Sequence, residues 1–254
     1  MSIRPIKRLG QNFLRDTQTA SDIVRLLPPA TNDLHILEIG PGMGALTTHL
    51  VQQGYRVTAV EIDERAVSEI AGRFPSVHVV QGDILTEPID RLLLAGRKTW
   101  VIGNLPYYIT SPILFRLLEA RDQLEGAVVM MQKEVADRIL STHGSKVYGI
   151  LSVLTQLWGR PEVGFDVPPT AFYPVPSVDS HVFRVFFDRP PLPIEDKSLA
   201  HVVRTAFNQR RKTLRNSLKS ITQGRELPEQ WDSLRPEQLS PSQFLTLARY
   251  LQPD

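Results

Sequence analysis

The residues best suited to bind a ligand lie where apolar runs end. The first run leads into the loop Glu38-Ile39-Gly40-Pro41-Gly42-Met43-Gly44, an E-x-G-x-G-x-G pattern. Its glycines permit a tight turn and a close approach of a ligand to the backbone. Glu61 and Asp83 end the next two apolar runs. A carboxylate at the first of these positions suits the two hydroxyls of a ribose, and one at the second can accept a hydrogen bond from an exocyclic amine such as that of adenine.

The spacing of these glycines excludes two common nucleotide sites. It does not match the dinucleotide pattern G-x-G-x-x-G, and the segment 96–99 lacks the preceding glycine of a phosphate-binding P-loop. The loop and the two acids, in this order, resemble instead the S-adenosylmethionine site of class I methyltransferases. The alternative is a set of ordinary turns and surface acids.

A fourth apolar run ends in Asn104-Leu105-Pro106-Tyr107, a pattern suited to chemistry on an exocyclic adenine nitrogen. The lone pair of that nitrogen is delocalised into the ring, so the amine is a poor nucleophile. Acceptors at its N–H groups favour a localised lone pair, and the side-chain oxygen of Asn104 and a backbone carbonyl in the turn can supply them. Pro106 fixes the turn, and Tyr107 can stack on an extruded base. Taken alone, the motif is also compatible with a simple helix-initiating turn.

Alternation of short apolar runs with helical patterns predicts the fold that positions these residues. The runs cover 35–40, 56–61, 77–83, 99–104 and 126–132. They are typical of buried parallel strands, whose carboxyl ends bind ligands in open α/β sheets. A helix follows the fourth strand, with Ser111 as its N-cap and Pro112 at its first position. We therefore predict a Rossmann-like, doubly wound α/β sheet.

Two further features complete the predicted architecture. The apolar segments PEVGFDV and HVFRVFF flank a proline-rich loop and predict an antiparallel pair at the sheet edge. Three prolines within 188–196 indicate a linker, after which all patterns are helical and the last helix begins with a capping box from Ser240 to Gln243. We predict a catalytic domain over 1–188 and a small all-α domain over 189–254.

The formal net charge of +2 conceals an uneven distribution. Residues 1–15 carry four basic groups and residues 204–225 carry seven, with no acid in either segment. The rest of the chain holds 18 basic against 27 acidic residues. Two basic segments on an acidic body predict a polyanionic partner, although a solvated helix face is the alternative for either segment.

Composition excludes several classes of protein. The chain has no cysteine, so it has neither disulfides nor thiolate metal sites, and its six histidines show no metal-ligand spacing. No apolar stretch approaches the roughly 18 residues of a membrane helix, and the first residues do not form a secretory signal. We expect no metal and no membrane partner, and a cytoplasmic protein; an organellar protein whose transit peptide was removed is the alternative.

The motifs together resemble the small-subunit ribosomal RNA adenine dimethyltransferases. The resemblance runs from Gly10-Gln11-Asn12-Phe13-Leu14 through the motifs above to YGILSV, AFYPVPSVDS and FNQRRKTLRNSL. It implies a monomeric enzyme that uses S-adenosylmethionine to form N6,N6-dimethyladenosine. Its substrates are two adjacent adenosines in a hairpin near the 3′ end of the rRNA, within the 30S particle or its precursor.

The resemblance also implies roles for individual residues. The donor site comprises Gln11, Asn12, Leu14, Gly40, Gly42, Glu61, Ile62, Asp83, Ile84 and Asn104. The catalytic set is Asn104, Leu105, Pro106, Tyr107 and Phe172, with Phe172 on the other face of the target base or, alternatively, an anchor in the core. RNA contacts come from Arg4, Lys7, Arg8, Arg210, Arg211, Lys212, Arg215 and Lys219. The spacing of Arg211, Arg215 and Lys219 predicts one helical face. Tyr108 departs from the smaller polar residue that is common in relatives, which leaves the side of base entry undefined.

Two alternatives stay open at this point. A large-subunit rRNA adenine methyltransferase of the macrolide-resistance type shares the Q-N-F motif, the glycine loop and N-x-P-Y. A non-catalytic RNA-binding assembly factor could keep the fold, but the intact Glu61, Asp83 and Asn104 argue against it.

Overall fold

The computed structural model describes residues 4–6, 9–222 and 224–252. It divides the chain into two compact units. The first comprises Met1–Ala136 and Glu162–Phe187, and the second comprises Asp137–Pro161 and Asp188–Asp254. The predicted boundary at residue 188 is close to one of these breaks, whereas residues 137–161, predicted to belong to the first domain, fall in the second unit.

A seven-stranded sheet forms the centre of the first unit. In chain order its strands are β2 (Leu34–Ile39), β3 (Arg56–Glu61), β4 (His78–Gln81), β5 (Lys98–Asn104), β6 (Gly126–Gln132), β7 (Arg160–Val167) and β9 (Ser180–Phe186). Their order in the sheet is β4-β3-β2-β5-β6-β9-β7. The first five are parallel neighbours, and β9 runs antiparallel to β6. The five predicted parallel strands and the two late edge strands are confirmed.

A second, two-stranded sheet joins the beginning of the chain to the loop before β9. It consists of β1 (Phe13–Leu14) and β8 (Phe172–Tyr173), which are antiparallel, with Leu14 opposite Phe172. Leu14 and Phe172 are 6% and 2% exposed and belong to the hydrophobic core cluster. This pairing fixes the N-terminal segment against the body of the unit.

The first helix of the first unit precedes the parallel strands, and each of the others follows one of them, as the crossover pattern predicts. They are α1 (Thr17–Val24), α2 (Ala45–Gln52), α3 (Glu64–Arg73) and α4 (Thr110–Glu119), and α5 (Lys133–Leu140) runs from the first unit into the second. The predicted N-cap of α4 at Ser111 is wrong. A 3-10 turn over Tyr107–Ile109 leads directly into Thr110, so Ser111 already lies inside the helix.

The second unit is helical. It contains α6 (Ile150–Trp158), α7 (Asp196–Asn208), α8 (Leu214–Ser217), α9 (Glu229–Asp232) and α10 (Pro241–Leu251). The rings of Tyr148, Phe207 and Phe244 pack in series, with centroid distances of 6.1 and 5.6 Å. The predicted capping box of α10 is confirmed, since the Ser240 side chain accepts a hydrogen bond from the backbone N–H of Gln243.

The basic segment of this unit is not one continuous helix, so the predicted common face of Arg211, Arg215 and Lys219 is wrong. α7 ends at Asn208, and α8 begins only at Leu214. The backbone N–H of Leu214 donates to the carbonyl of Leu234 at 2.7 Å. This tertiary hydrogen bond replaces the helical one, which sequence spacing cannot anticipate.

Candidate active site

A cavity of about 230 Å³ lies in the first unit, at the carboxyl ends of β2, β3 and β5. Its walls come from the N-terminal segment, the glycine loop and the residues that follow each strand. All ten predicted donor-site residues line it: Gln11, Asn12, Leu14, Gly40, Gly42, Glu61, Ile62, Asp83, Ile84 and Asn104. The structure thus brings together residues that are spread over more than ninety positions of sequence.

The glycine loop turns sharply at Gly40 and Gly42, whose φ angles are +63° and +52°. Both values lie in the left-handed region that other residues adopt at a cost. A Cβ atom at position 42 would also lie 3.0 Å from two carbons of the Phe13 ring, whereas one at position 40 would meet nothing within 4 Å. Glycine at 40 thus serves the turn alone, and glycine at 42 also lets the N-terminal segment approach the loop.

The Glu61 carboxylate organises the cavity wall. Its Oε2 accepts a hydrogen bond from the backbone N–H of Gly42 at 3.2 Å, and its Oε1 accepts from the N–H groups of Ile62 and Asp63, both at 2.9 Å. The residue is 6% exposed, and burial raises its pKa, although the three hydrogen bonds oppose the shift. Each carboxylate oxygen has two lone-pair sites, so Oε2 keeps one free for a ligand hydroxyl.

Asp83 and two isoleucines form the neighbouring wall. Oδ1 of Asp83 accepts a hydrogen bond from the backbone N–H of Leu85 at 2.9 Å, which leaves Oδ2 as a free acceptor at the cavity. Ile84 is buried, and Ile62 is about half exposed. Apolar side chains beside a carboxylate fit a planar heterocycle that carries an exocyclic amine.

The Asn104 amide is held by the N-terminal segment. Its Nδ2 donates to the backbone carbonyl of Asn12 at 2.9 Å, so its Oδ1 is left as an acceptor at the cavity. The next residue, Leu105, is 1% exposed and donates its backbone N–H to the carbonyl of Met130 at 2.9 Å. These contacts fix the turn at the end of β5, with Pro106 also in the cavity wall.

Two tyrosines follow this turn and line the same cavity. The Tyr107 hydroxyl is hydrogen-bonded to Oγ of the fully buried Ser180 at 2.6 Å, and burial raises the pKa of Tyr107. Tyr108 is 57% exposed. Its ring packs so closely against Gly10 that a Cβ atom at position 10 would lie only 2.8 Å from a ring carbon. The hydrogen bond to Ser180 therefore orients the ring of Tyr107, while the ring of Tyr108 packs against Gly10 of the N-terminal segment.

Phe172 is the one predicted catalytic residue that does not line the cavity. It is 2% exposed and packs in the hydrophobic core cluster with Leu14 and Ala171. Pairing of β8 with β1 turns its ring inward and leaves the next residue, Tyr173, 46% exposed. The geometry therefore supports the alternative stated for Phe172, an anchor in the core.

A buried carboxylic acid in the cavity wall was not assigned a role from the sequence. Glu38 is 1% exposed, and its Oε2 accepts a hydrogen bond from the Thr47 hydroxyl at 2.7 Å. The pKa of Glu38 is raised to about 7, chiefly by burial and to a lesser extent by the nearby Glu61, while the hydrogen bonds with Thr47 oppose the shift. The signal available in the sequence was an acid inside an otherwise apolar strand.

A hydrogen-bond chain ties the N-terminal segment to the start of α3. Oε1 of Gln11 accepts from the backbone N–H of Ile6 at 2.8 Å, and its Nε2 donates to Oδ2 of Asp63 at 2.9 Å. Asp63 also binds the Arg65 guanidinium, which lowers the pKa of Asp63 to about 2. Arg65 in turn donates to the backbone carbonyl of Arg4 at 3.2 Å. The sequence contains no signal for these contacts.

The predicted RNA-binding residues differ in their exposure and in whether an acidic side chain already pairs with them. Arg4, Arg211, Lys212 and Lys219 are exposed, while Lys7 and Arg8 lie outside the described residues. Arg215 is paired with Asp232 at 2.9 Å. Arg210 is half-buried, donates to the Ser145 carbonyl at 3.3 Å and lies 3.8 Å from Glu237. Arg210 is therefore partly committed to the second unit's own structure.

The described part of the chain holds neither a metal-ligand cluster nor a membrane-spanning helix. No group of three or more histidine, aspartate or glutamate side chains there could hold a metal ion. No helix there is both long and apolar enough to cross a membrane.

Two solved structures share this architecture. A dimethyladenosine transferase from Plasmodium falciparum matches with a TM-score of 0.78 at 24% identity, covering 92% of this chain and 95% of that one. The 23S rRNA methyltransferase ErmE matches with a TM-score of 0.70 at 28% identity, covering 94% and 99%. The parallel sheet with its antiparallel edge and the cavity at the strand ends define a class I methyltransferase fold.

Sequence comparison identifies the family within this class. The family model described as ribosomal RNA adenine dimethylase matches residues 4–252, and the chain belongs to this family. A relative from Porphyromonas gingivalis, named ribosomal RNA small subunit methyltransferase A, is 46% identical over 99% of both chains. A relative of the same name from Salinibacter ruber is 47% identical over 98% of this chain and 85% of its own length. The predicted family and enzyme class are confirmed.

Proposed function

We propose that this enzyme transfers methyl groups from S-adenosylmethionine to the N6 amines of two adjacent adenosines in the 3′-terminal hairpin of small-subunit rRNA. Each adenosine receives two methyls, and S-adenosylhomocysteine is the by-product. The observation that carries the proposal is the orientation of Asn104, whose Nδ2 is occupied by the Asn12 carbonyl and whose Oδ1 remains free at the donor cavity.

The cavity fits S-adenosylmethionine by the chemistry of its walls. Oε2 of Glu61 would accept from a ribose hydroxyl, and Oδ2 of Asp83 would accept from the adenine amine of the donor. Ile62 and Ile84 would flank the purine, and the turn at Gly40 would admit the amino-acid part close to the backbone. Bound S-adenosylmethionine supplies an electrophilic methyl group.

Residues of the chain then have to activate a weak nucleophile. Oδ1 of Asn104 would accept a hydrogen bond from one N–H of the target amine, and a backbone carbonyl of the turn would accept from the other. These bonds favour a pyramidal nitrogen with a localised lone pair. The remaining contribution is proximity, because the same turn holds the amine against the donor cavity. The proton lost from nitrogen after transfer leaves to solvent.

Stacking by Tyr107 supports extrusion of the target base. An extruded adenine loses its stacking neighbours, and an aromatic ring can replace part of that energy. The hydrogen bond to Ser180 holds the Tyr107 ring at the cavity. Pro106 restricts the turn between the two functional side chains.

We infer that the natural partner is small-subunit rRNA within the 30S particle or its precursor, that the enzyme is a monomer, and that it acts in the cytoplasm. The support is the name and high identity of the relatives, together with exposed basic residues such as Arg4 and Arg211. Backbone phosphates are the ligands expected for such charges, and RNA helices are recognised mainly by shape.

Large-subunit rRNA is the second candidate substrate, because ErmE shares 28% identity over nearly the full chain. The two candidates are separated by supplying tritiated S-adenosylmethionine to unmethylated 30S and 50S particles and identifying the labelled nucleoside after digestion. We expect four methyl groups per 30S particle, all in N6,N6-dimethyladenosine. Label confined to 23S rRNA would establish the second candidate, and label in neither rRNA would refute both.

A further inference from the structure

Arg15 and Tyr173 form an exposed cation–π pair beside the cavity. The guanidinium carbon of Arg15 lies 3.9 Å from the centroid of the Tyr173 ring. Tyr173 lies in the small sheet opposite Phe13, and Arg15 directly follows β1, where its backbone N–H donates to the Ala171 carbonyl at 2.8 Å. The pair is therefore held by backbone hydrogen bonds on both sides.

The two faces of this small sheet differ in their burial. Leu14 and Phe172 point into the core, whereas Arg15 is exposed and Tyr173 is 46% exposed. The loop after Tyr173 also exposes apolar side chains, with Val175 63% and Val178 40% exposed. These side chains and the Tyr173 ring offer exposed apolar area to a partner.

The charge of Arg15 is available to such a partner. The adjacent acid, Asp16, caps α1, where its carboxylate accepts from the backbone N–H of Gln18 at 3.1 Å and from the Thr19 hydroxyl at 2.5 Å. Within the described residues Arg15 makes no salt bridge. The surface thus combines a positive charge, a planar guanidinium and an aromatic ring, which is the chemistry that binds single-stranded RNA.

The position of the pair specifies which part of the RNA would reach it. Phe13 and Leu14 of β1 line the donor cavity, and Arg15 directly follows β1 in the chain. An adenosine inserted into the cavity leaves its neighbours in the RNA chain at this rim, and extrusion of the target deprives them of a stacking partner.

We propose that the Arg15–Tyr173 pair is a binding site for a nucleotide that flanks the target adenosine. Its base stacks on the pair, and Arg15 neutralises a phosphate. The inference rests on the proposed function, because it assumes an RNA substrate at the cavity. It adds a contact in the first unit, separate from the basic segment over 204–225.

Two alanine variants test the two halves of the site. Affinity for unmethylated 30S particles would be measured over a range of salt concentrations for Tyr173→Ala and Arg15→Ala. Tyr173→Ala removes the ring on which the base stacks, and loss of one stacked base should weaken binding by at least about fivefold. Arg15→Ala should also lower the slope of log affinity against log salt by about one unit, whereas Tyr173→Ala should leave the slope unchanged.

Two control variants separate these effects from general ones. Arg56→Ala removes the same charge from the amino end of β3, at the sheet edge opposite the cavity, and should bind like the wild type. Tyr173→Phe keeps the ring and should retain wild-type affinity. Donor affinity should be unchanged in all four variants, which verifies their folding. Wild-type affinity in both Arg15→Ala and Tyr173→Ala would overturn the proposal.

Photocrosslinking identifies the molecule that contacts the surface. With p-azidophenylalanine in place of Tyr173, we expect crosslinks to small-subunit rRNA within a few nucleotides of the methylated adenosines. A crosslink to a ribosomal protein would overturn the proposal. Methyl transfer by the wild-type enzyme to the same particles is measured in parallel. Its absence would refute the proposed function, whereas activity with distant crosslinks would refute this inference alone.

Discussion

The amide nitrogen of Asn104 donates a 2.9 Å hydrogen bond to the backbone carbonyl of Asn12, 92 residues earlier in the chain. This bond determines which end of the Asn104 amide faces the cavity. It also makes the N-terminal segment part of the site, because the orienting acceptor is a main-chain atom and does not depend on the Asn12 side chain.

Asn104→Ala should lower the rate of methyl transfer at saturating substrates by about 10²–10³-fold, a range typical of losing one preorganised polar group at a reacting centre. Binding of donor and of 30S particles should change little. Single-turnover kinetics and equilibrium binding would measure both. The companion Asn12→Ala keeps the orienting carbonyl, so it should affect donor affinity more than the transfer rate. A wild-type transfer rate in Asn104→Ala would contradict the mechanism.

Tyr107 and Ser180 should behave as one unit. Tyr107→Phe and Ser180→Ala each remove the 2.6 Å hydrogen bond between them, so each should weaken transition-state binding by about 1 kcal/mol. The double variant should be little worse than either single variant. Values of kcat/KM for the four proteins complete the cycle. Strictly additive losses would show that Ser180 does not position the tyrosine.

Gln11→Ala should weaken donor binding about tenfold, because one net hydrogen bond contributes about 1–1.5 kcal/mol and its side chain connects the cavity wall to Asp63. Calorimetric titration with S-adenosylmethionine would measure the loss. Gln18→Ala, on the exposed face of α1, is a matched control that should leave donor affinity unchanged. Equal affinity of Gln11→Ala and the wild type would exclude a role for this contact.

Glu38 should make the stability of the protein depend on pH. Its pKa is raised from 4.5 to about 7 in the folded state, so the folded protein binds more protons than the unfolded chain between these values. The contribution of Glu38 to the free energy of unfolding therefore decreases as pH rises from 4.5 to 7 and does not change further above that range. The buried His35, whose pKa is lowered to about 4, has the opposite effect between 4 and 6.5.

Comparison with Glu38→Gln isolates the contribution of Glu38, since His35 is present in both proteins. Glutamine can still accept the hydrogen bond from Thr47. The free energies of unfolding of the variant and the wild type should be similar near pH 4.5. By pH 8 the variant should be more stable than the wild type by up to about 3 kcal/mol, given about 1.4 kcal/mol for each unit of pKa shift. Urea unfolding at several pH values would measure this difference. A difference that does not vary with pH would contradict the raised pKa.

Neutralising the exposed cations of the second unit should weaken binding to 30S particles and flatten its salt dependence. Each of Arg211, Lys212 and Lys219 should account for up to about one unit of the slope if it contacts a phosphate. Arg215 should contribute less, because Asp232 lies 2.9 Å from its guanidinium. An unchanged slope in the triple variant Arg211→Ala, Lys212→Ala, Lys219→Ala would place the RNA elsewhere.

The sequence by itself determined the sheet and most of the donor cavity. Glu61, Asp83 and Asn104 could be assigned because each ends a strongly apolar run, and the ends of parallel strands converge at one sheet edge whatever the details of packing. The turn in the glycine loop could also be predicted from local sequence, because it depends on backbone conformations that glycine alone adopts easily.

Tertiary structure alone decided which side chains point into the cavity and what orients them. Phe172 is buried because β8 pairs with β1, and Tyr173 is exposed for the same reason. The basic helix is broken because Leu214 bonds to Leu234, and the Asn104 amide is oriented by Asn12. Each of these outcomes depends on a hydrogen-bond partner that lies at least twenty residues away in the chain, so neither local propensity nor spacing carries the information.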